Sequence, residues 1–87
     1  MKTTWRKELE YTLNNNNELW EDIIYTTLTN EDMDKEFDEG YGVVEGEAFT
    51  LWTKDFVYFP ATYDGSEWVA SIPRNPKKIK TIHVGSW

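Results

Sequence analysis

Three aromatic-rich segments with alternating side chains succeed one another between residues 48 and 72, broken only by Lys54-Asp55 and by Asp64-Gly65. A period of two turns one face of a strand toward a core, and a two-residue break, Asp-Gly above all, is the connection of a tight hairpin. Residues 48–53, 56–63 and 67–72 therefore predict an antiparallel meander, with Phe49, Leu51, Val57, Phe59, Ala70 and Ile72 on its core face. Pro60 has no N–H to give a neighbouring strand, which predicts an edge position or a bulge for its own strand, while Pro73 and Pro76 end the last one. Residues 79–84 predict one more short strand.

A helix precedes the strands. Trp5, Leu9 and Leu13 recur at helical spacing on one face, Thr3 or Thr4 is placed to cap the start, and the run Asn14, Asn15, Asn16, Asn17 stops the element after Leu13. Asparagine tolerates the left-handed conformation in which helices end. Glu18 to Asp22 predict a helical turn. Residues 23–27 are β-branched or aromatic throughout and predict a strand, with helix as the alternative. Thr29 or Asn30 caps a short acidic helical turn running to Phe37, and Gly40, Gly42 and Gly46 mark an irregular loop. A helix followed by a run of strands is the order of an α+β fold. The expectation is one domain over residues 1–87, an N-terminal helix packed on a three- to five-stranded, mainly antiparallel sheet.

A chain of 87 residues buries only about 60% of its unfolded surface. Five tryptophans, five tyrosines and four phenylalanines supply what such a core needs, because each buried ring removes roughly 150 to 250 Å² from water. There is no cysteine, so stability rests on packing rather than disulfides, and a reducing compartment is indicated. No apolar run approaches the roughly 20 residues that cross a bilayer, and the opening Met1-Lys2-Thr3-Thr4-Trp5-Arg6 lacks the apolar stretch of a signal peptide. These features predict an unprocessed protein of the cytoplasm.

Charge is segregated along the chain. Between Glu8 and Glu47 there are 13 acidic residues against Lys35 alone, whereas from residue 74 onward Arg74, Lys77, Lys78 and Lys80 face no acid. Such an acidic body repels nucleic acid and membrane surfaces and attracts basic grooves on proteins. The densest stretch holds Glu31, Asp32, Asp34, Glu36, Asp38, Glu39, Glu45 and Glu47. Its alternation suggests a calcium loop, but starting at Asp32 puts Phe37 at the glycine position and Val43 at the closing glutamate, and starting at Asp34 puts Glu39 at the glycine position. No metal site is expected. The plain reading is a solvated acidic loop that keeps the protein soluble. The sharper reading is a surface that docks into a basic groove, formed by Glu31, Asp32, Asp34, Glu36, Asp38, Glu39, Tyr41, Glu45 and Glu47. Phe37 and Tyr41 are then apolar anchors or, in the plainer reading, core. A net charge of −7 matches only about 12 Å of duplex DNA, so mimicry of DNA by the whole molecule is not supported.

Catalytic chemistry has few carriers. No cysteine nucleophile exists, His83 stands alone in a strand-like tail as a surface residue, and neither a G-x-S-x-G elbow nor a phosphate-cradling glycine loop occurs. Carboxylate pairs are plentiful, but a chain this short builds a deep cleft for them only with difficulty. The expectation is a non-enzymatic protein without cofactor. Two alternatives remain open: a small metal-dependent protein or enzyme using the carboxylate cluster and His83, and a structural component that self-associates through a strand edge. The basic tail reads as a nucleic-acid contact or as lysines guarding an edge against aggregation, the latter the commoner use.

The stretches Phe49-Thr50-Leu51-Trp52-Thr53-Lys54-Asp55, Val57-Tyr58-Phe59-Pro60, Tyr63-Asp64-Gly65, Trp68 and Ile72-Pro73-Arg74-Asn75-Pro76, with the opening Thr3-Thr4-Trp5-Arg6, make the chain resemble small acidic proteins encoded by phages and prophages. The resemblance covers about two thirds of the sequence, and none of its motifs has an assigned role, so no functional residue is carried over. It implies a setting. Small acidic, cysteine-free phage proteins are often inhibitors of host machinery, anti-CRISPR proteins among them. The partner it implies is a host protein with a basic surface, a nuclease, polymerase or defence effector, bound by a monomer or weak dimer without direct contact to nucleic acid or membrane.

Overall fold

The computed structural model describes residues 2–38, 45–63 and 66–84. Glu39, Gly40, Tyr41 and Gly42 of the predicted acidic loop, and the predicted Asp64-Gly65 turn, lie outside the described residues. Among the described residues the architecture is α+β, two helices with a four-stranded and a two-stranded antiparallel sheet.

The chain opens with β1 (Lys2–Thr3) and enters α1 (Trp5–Asn15), whose first turn is closed by the Thr4 hydroxyl accepting the Lys7 N–H at 3.2 Å. Trp5, Leu9 and Leu13 are all buried, each worth about 1.5 to 3 kcal/mol of transfer free energy. The asparagine run ends the helix as its chemistry predicts. Asn17 takes a φ of 60°, and the Glu18 N–H reaches back to the Leu13 carbonyl at 2.8 Å. A 3₁₀ turn (Trp20–Asp22), closed by the Leu19 N–H donating to Asp22 Oδ2 at 2.7 Å, leads into β2 (Ile23–Thr26). The segment expected as strand or helix is a strand, with a register shift between Ile23 and Tyr25.

Thr29 caps α2 (Asn30–Asp34), exchanging bonds with Asp32 in a capping box. This helix stops at Asp34, short of the predicted Phe37, because Phe37 belongs to β3 (Phe37–Asp38), which pairs with β1 and carries its ring into the core. The larger sheet runs β2, β4 (Leu51–Thr53), β5 (Phe56–Tyr63), β6 (Ser66–Pro73). The predicted first strand of the meander is shorter than 48–53, and residues 79–84 form no strand.

Two expectations about this sheet are corrected. First, the strand carrying Pro60 is interior rather than an edge, flanked by β4 and β6. Pro60 opposes Val69, a pair that cannot exchange two N–H···O bonds and so is of the non-hydrogen-bonded class. The missing N–H therefore points toward the β4 side, where the ladder stops at the Leu51–Tyr58 pair and has no use for it. Second, the predicted core face is half inverted. Leu51 and Phe49 join the core with Tyr58 and Val69, but Val57, Phe59, Ala70 and Ile72 lie on the opposite face with Trp52 and Trp68. Both faces are apolar, so hydrophobicity alone picks the wrong one; the helix side carries Thr53, Tyr58, Glu67 and Ser71, whose polar atoms are paired inside.

Candidate functional site

Four connections gather the acidic segments around the first turn of α1. The Arg6 guanidinium grips Asp34 through Nε to Oδ1 at 2.6 Å and Nη2 to Oδ2 at 3.2 Å. The Trp5 indole N–H donates to the Glu47 carbonyl at 2.9 Å, and its ring lies 4.7 Å from Phe37 and 5.0 Å from Phe49. The pairing of β1 with β3 sets Asp38 opposite Lys2. Finally the Asp38 N–H donates to Glu45 Oε1 at 3.1 Å, tying the two sides of the acidic loop together.

What holds residues 45–47 in place is a residue the sequence reading passed over. Glu67 is 3% exposed, and its carboxylate accepts the Glu45 N–H at 2.8 Å and the Gly46 N–H at 2.9 Å. A charge buried to this degree is tolerable only because both oxygens meet N–H donors. Gly46 is there because the approach is close: a Cβ on it would stand 2.6 Å from Trp5 Cζ2 and 2.8 Å from Glu67 Oε1. A signal did exist in the sequence. Glu67 alternates with Val69 and Ser71, which would have placed it on the helix side had the strand been phased correctly.

The predicted surface residues differ in how far they are already committed. Asp32 completes the capping box of α2 by accepting the Thr29 N–H, and that bond, with the Thr29 hydroxyl beside it, holds its carboxyl below the ordinary carboxylate range. Asp34 is likewise lowered by the Arg6 hydrogen bond, which in turn raises the guanidinium. Glu45 accepts from Asp38, and Asp38 is half-buried. Glu31, Glu36 and Glu47 are exposed, and their carboxylates make no hydrogen bond or ion pair among the described residues. Glu39 and Tyr41 lie outside the described residues. Phe37, weighed as anchor or core, is core.

A second buried carboxylate sits at the other end of α1. Glu18, 7% exposed, accepts the Thr53 hydroxyl at 2.8 Å and the Tyr58 hydroxyl at 2.5 Å. Asn16 Nδ2 donates both to Tyr58 Oη at 3.1 Å and to Ser71 Oγ at 3.0 Å. Burial and then the Glu18 bond push the Tyr58 phenol above its ordinary range. Tyr58 and Thr53 are fully buried, whereas Asn16 and Ser71, at the outer end of the network, line an open groove of about 380 Å³. His83 is exposed in the tail, and among the described residues no group of three or more His, Asp or Glu side chains is arranged to hold a metal. No helix among them is long and apolar enough to cross a membrane.

The segments that carry Asp34, Asp38, Glu45 and Glu47 are thus tied to an aromatic and hydrogen-bonded base at the start of α1. Comparison with protein-family models, with curated proteins and with solved structures gave no match.

Proposed function

We propose that the chain is a non-enzymatic binding protein that docks its acidic surface on a basic surface of another protein. In the setting suggested by its resemblance to phage proteins, it acts as an inhibitor of a host nucleic-acid-binding or defence protein, in the manner of anti-CRISPR proteins. The observation that carries this reading is the pinning of the acidic segments around Trp5 and Arg6 while Glu31, Glu36 and Glu47 face water with no partner among the described residues. Carboxylates held on a fixed base lose little freedom on docking, and pairing them with arginines speeds association and selects partners.

The test replaces those three together, Glu31→Gln, Glu36→Gln and Glu47→Gln, and leaves the structurally committed Asp32, Asp34 and Glu45 alone. Affinity capture from host lysate at low and high salt should yield a basic nuclease, polymerase or defence effector, released by salt and lost by the triple variant at unchanged melting temperature. Capture that persists in the triple variant, or that resists salt, would overturn the reading.

A further inference from the structure

The side of the four-stranded sheet that faces away from the helices is the more apolar one. Its registers set Tyr25, Trp52, Val57 and Ile72 side by side, one from each of the four strands, in an unbroken row. Two further rows follow along β5 and β6, Phe59 beside Ala70 and Ala61 beside Trp68. No side chain of the three rows carries a charge at neutral pH. An antiparallel sheet that meets water on its second face ordinarily turns polar residues toward it.

Both helices lie against the other face, where Leu9 and Leu13 of α1 and Met33 of α2 pack with Leu51, Tyr58 and Val69. Phe37 and Phe49 join that same core. The tail borders the outward rows along β6: Ile79 and Thr81 share a shallow depression with Ile72, while Ile82 and Val84 share the groove with Trp68 and Ala70. Ile82 is itself 80% exposed, so the tail adds apolar surface at this margin instead of capping it. At the two ends of the first row Tyr25 is 62% and Ile72 41% exposed, and the Tyr25 ring leans on Trp52 at 5.7 Å.

We propose that this face pairs with the same face of a second copy of the chain, the two sheets stacked about a two-fold axis. The size fits such a pair. Strands about 4.8 Å apart and a rise of about 3.3 Å per residue give a face roughly 19 Å wide and up to about 20 Å long. Two of them bury on the order of 1,000 Å², the class of a dissociable dimer rather than a permanent one. The chemistry fits as well. Rows of rings and aliphatic side chains are complementary to themselves, and they offer neither the charge nor the array of donors that would single out a different partner. The net charge of −7 does not forbid the pair, because Asp34, Asp38, Glu45 and Glu47 are tied at the start of α1, on the helix side of the sheet. The dimer presents the acidic surface twice, on its two outer sides, and it stands whether or not that surface binds a partner.

Sedimentation velocity on the intact chain from about 1 µM to about 1 mM should show a monomer passing to a dimer, with a dissociation constant on the order of 10 to 100 µM. Raising the salt should leave the dimer in place, which separates this contact from any salt-released docking of the acidic surface. Exchange of the exposed pair, Tyr25→Lys with Ile72→Lys, should weaken association at least about tenfold at unchanged melting temperature. Nuclear magnetic resonance of the parent chain on dilution gives a reading that needs no variant, and the shifts should concentrate on Val57, Phe59, Ala70 and Ile72. A chain still monomeric at about 1 mM overturns the proposal. So does dissociation by salt, or a double variant that folds and dimerises as before. Shifts centred on Ile24, which would mean pairing through the edge of β2, or on Ile82, which would mean association through the tail, overturn it too.

Discussion

Two buried carboxylates sit at opposite ends of α1 and are satisfied in different ways. Glu67 is held by two main-chain amides, those of Glu45 and Gly46, whereas Glu18 is held by two hydroxyls, those of Thr53 and Tyr58. Amide donors point where the backbone puts them. Hydroxyl donors rotate, and a hydroxyl that loses one acceptor becomes an acceptor itself. The first arrangement therefore fixes the path of the chain, here the root of the acidic loop. The second joins Glu18, in the segment just after α1, to β4 and β5 and can be rewired.

The largest effects should follow removal of the fixed-donor carboxylate. Glu67→Ala strands two N–H groups against the Trp5 ring and should cost about 3 kcal/mol in urea unfolding. Glu67→Gln should cost nearly as much, about 2 kcal/mol, because the amide offers one oxygen and sets its NH₂ against the second N–H. Gly46→Ala attacks the same clamp sterically and should cost about 1 to 3 kcal/mol. If Glu67→Gln proves as stable as the parent, the root of the loop is held by the Trp5 indole rather than by the carboxylate.

At the hydroxyl site the same exchange should be mild. Glu18→Gln keeps an acceptor and adds a donor that Tyr58 or Thr53 can accept after rotating, so the loss should stay within about 1 kcal/mol; Glu18→Ala should cost about 2 kcal/mol. Alkali gives a separate reading of Tyr58. Its phenol is raised in the folded state, so the stability it contributes is present below the ordinary tyrosine value, about pH 10, and is lost as pH rises beyond it. Unfolding followed against pH, with tyrosine ionisation read by absorbance, should show a loss of stability above about pH 10 that Tyr58→Phe lacks. Equal alkaline sensitivity in both would mean that another tyrosine controls the transition.

The sequence made the helix and the strand order legible because each rests on local signals: the spacing of Trp5, Leu9 and Leu13, the asparagine stop, and the two short breaks of the meander. It did not make the core face of the sheet legible. Val57, Phe59, Ala70 and Ile72 outweigh Tyr58, Val69 and Ser71 in hydrophobicity, and only the pairing of Tyr58 with Glu18 and of Ser71 with Asn16 makes the polar set the inner one. The acidic segment was visible as composition, yet its division into committed and available carboxylates depends on Arg6, Thr29 and Glu67. Two of these are far away in the chain, and their contacts are set by tertiary packing.

The comparison of buried carboxylates carries a corollary for the exposed one. Asp34 meets Arg6 in a bidentate pair at 2.6 and 3.2 Å, but both groups face water, where solvent screens the attraction and ordering two side chains offsets much of it. Asp34→Asn should therefore lower stability at neutral pH far less than either buried exchange to alanine. The sign of its pH dependence is opposite to that of Tyr58. Because the Asp34 carboxyl is lowered in the folded state, its contribution is present above the ordinary carboxylate value and disappears as pH falls through the lowered one. Urea midpoints of parent and variant should differ slightly near neutrality and converge as pH falls through the lowered carboxylate value. They should also converge at about 1 M salt, where charges in water are screened within a few ångströms. A difference that survives both acid and salt would mean that Asp34 acts through the geometry of α2 rather than through its charge, and would make burial the wrong variable for ranking the carboxylates of this protein.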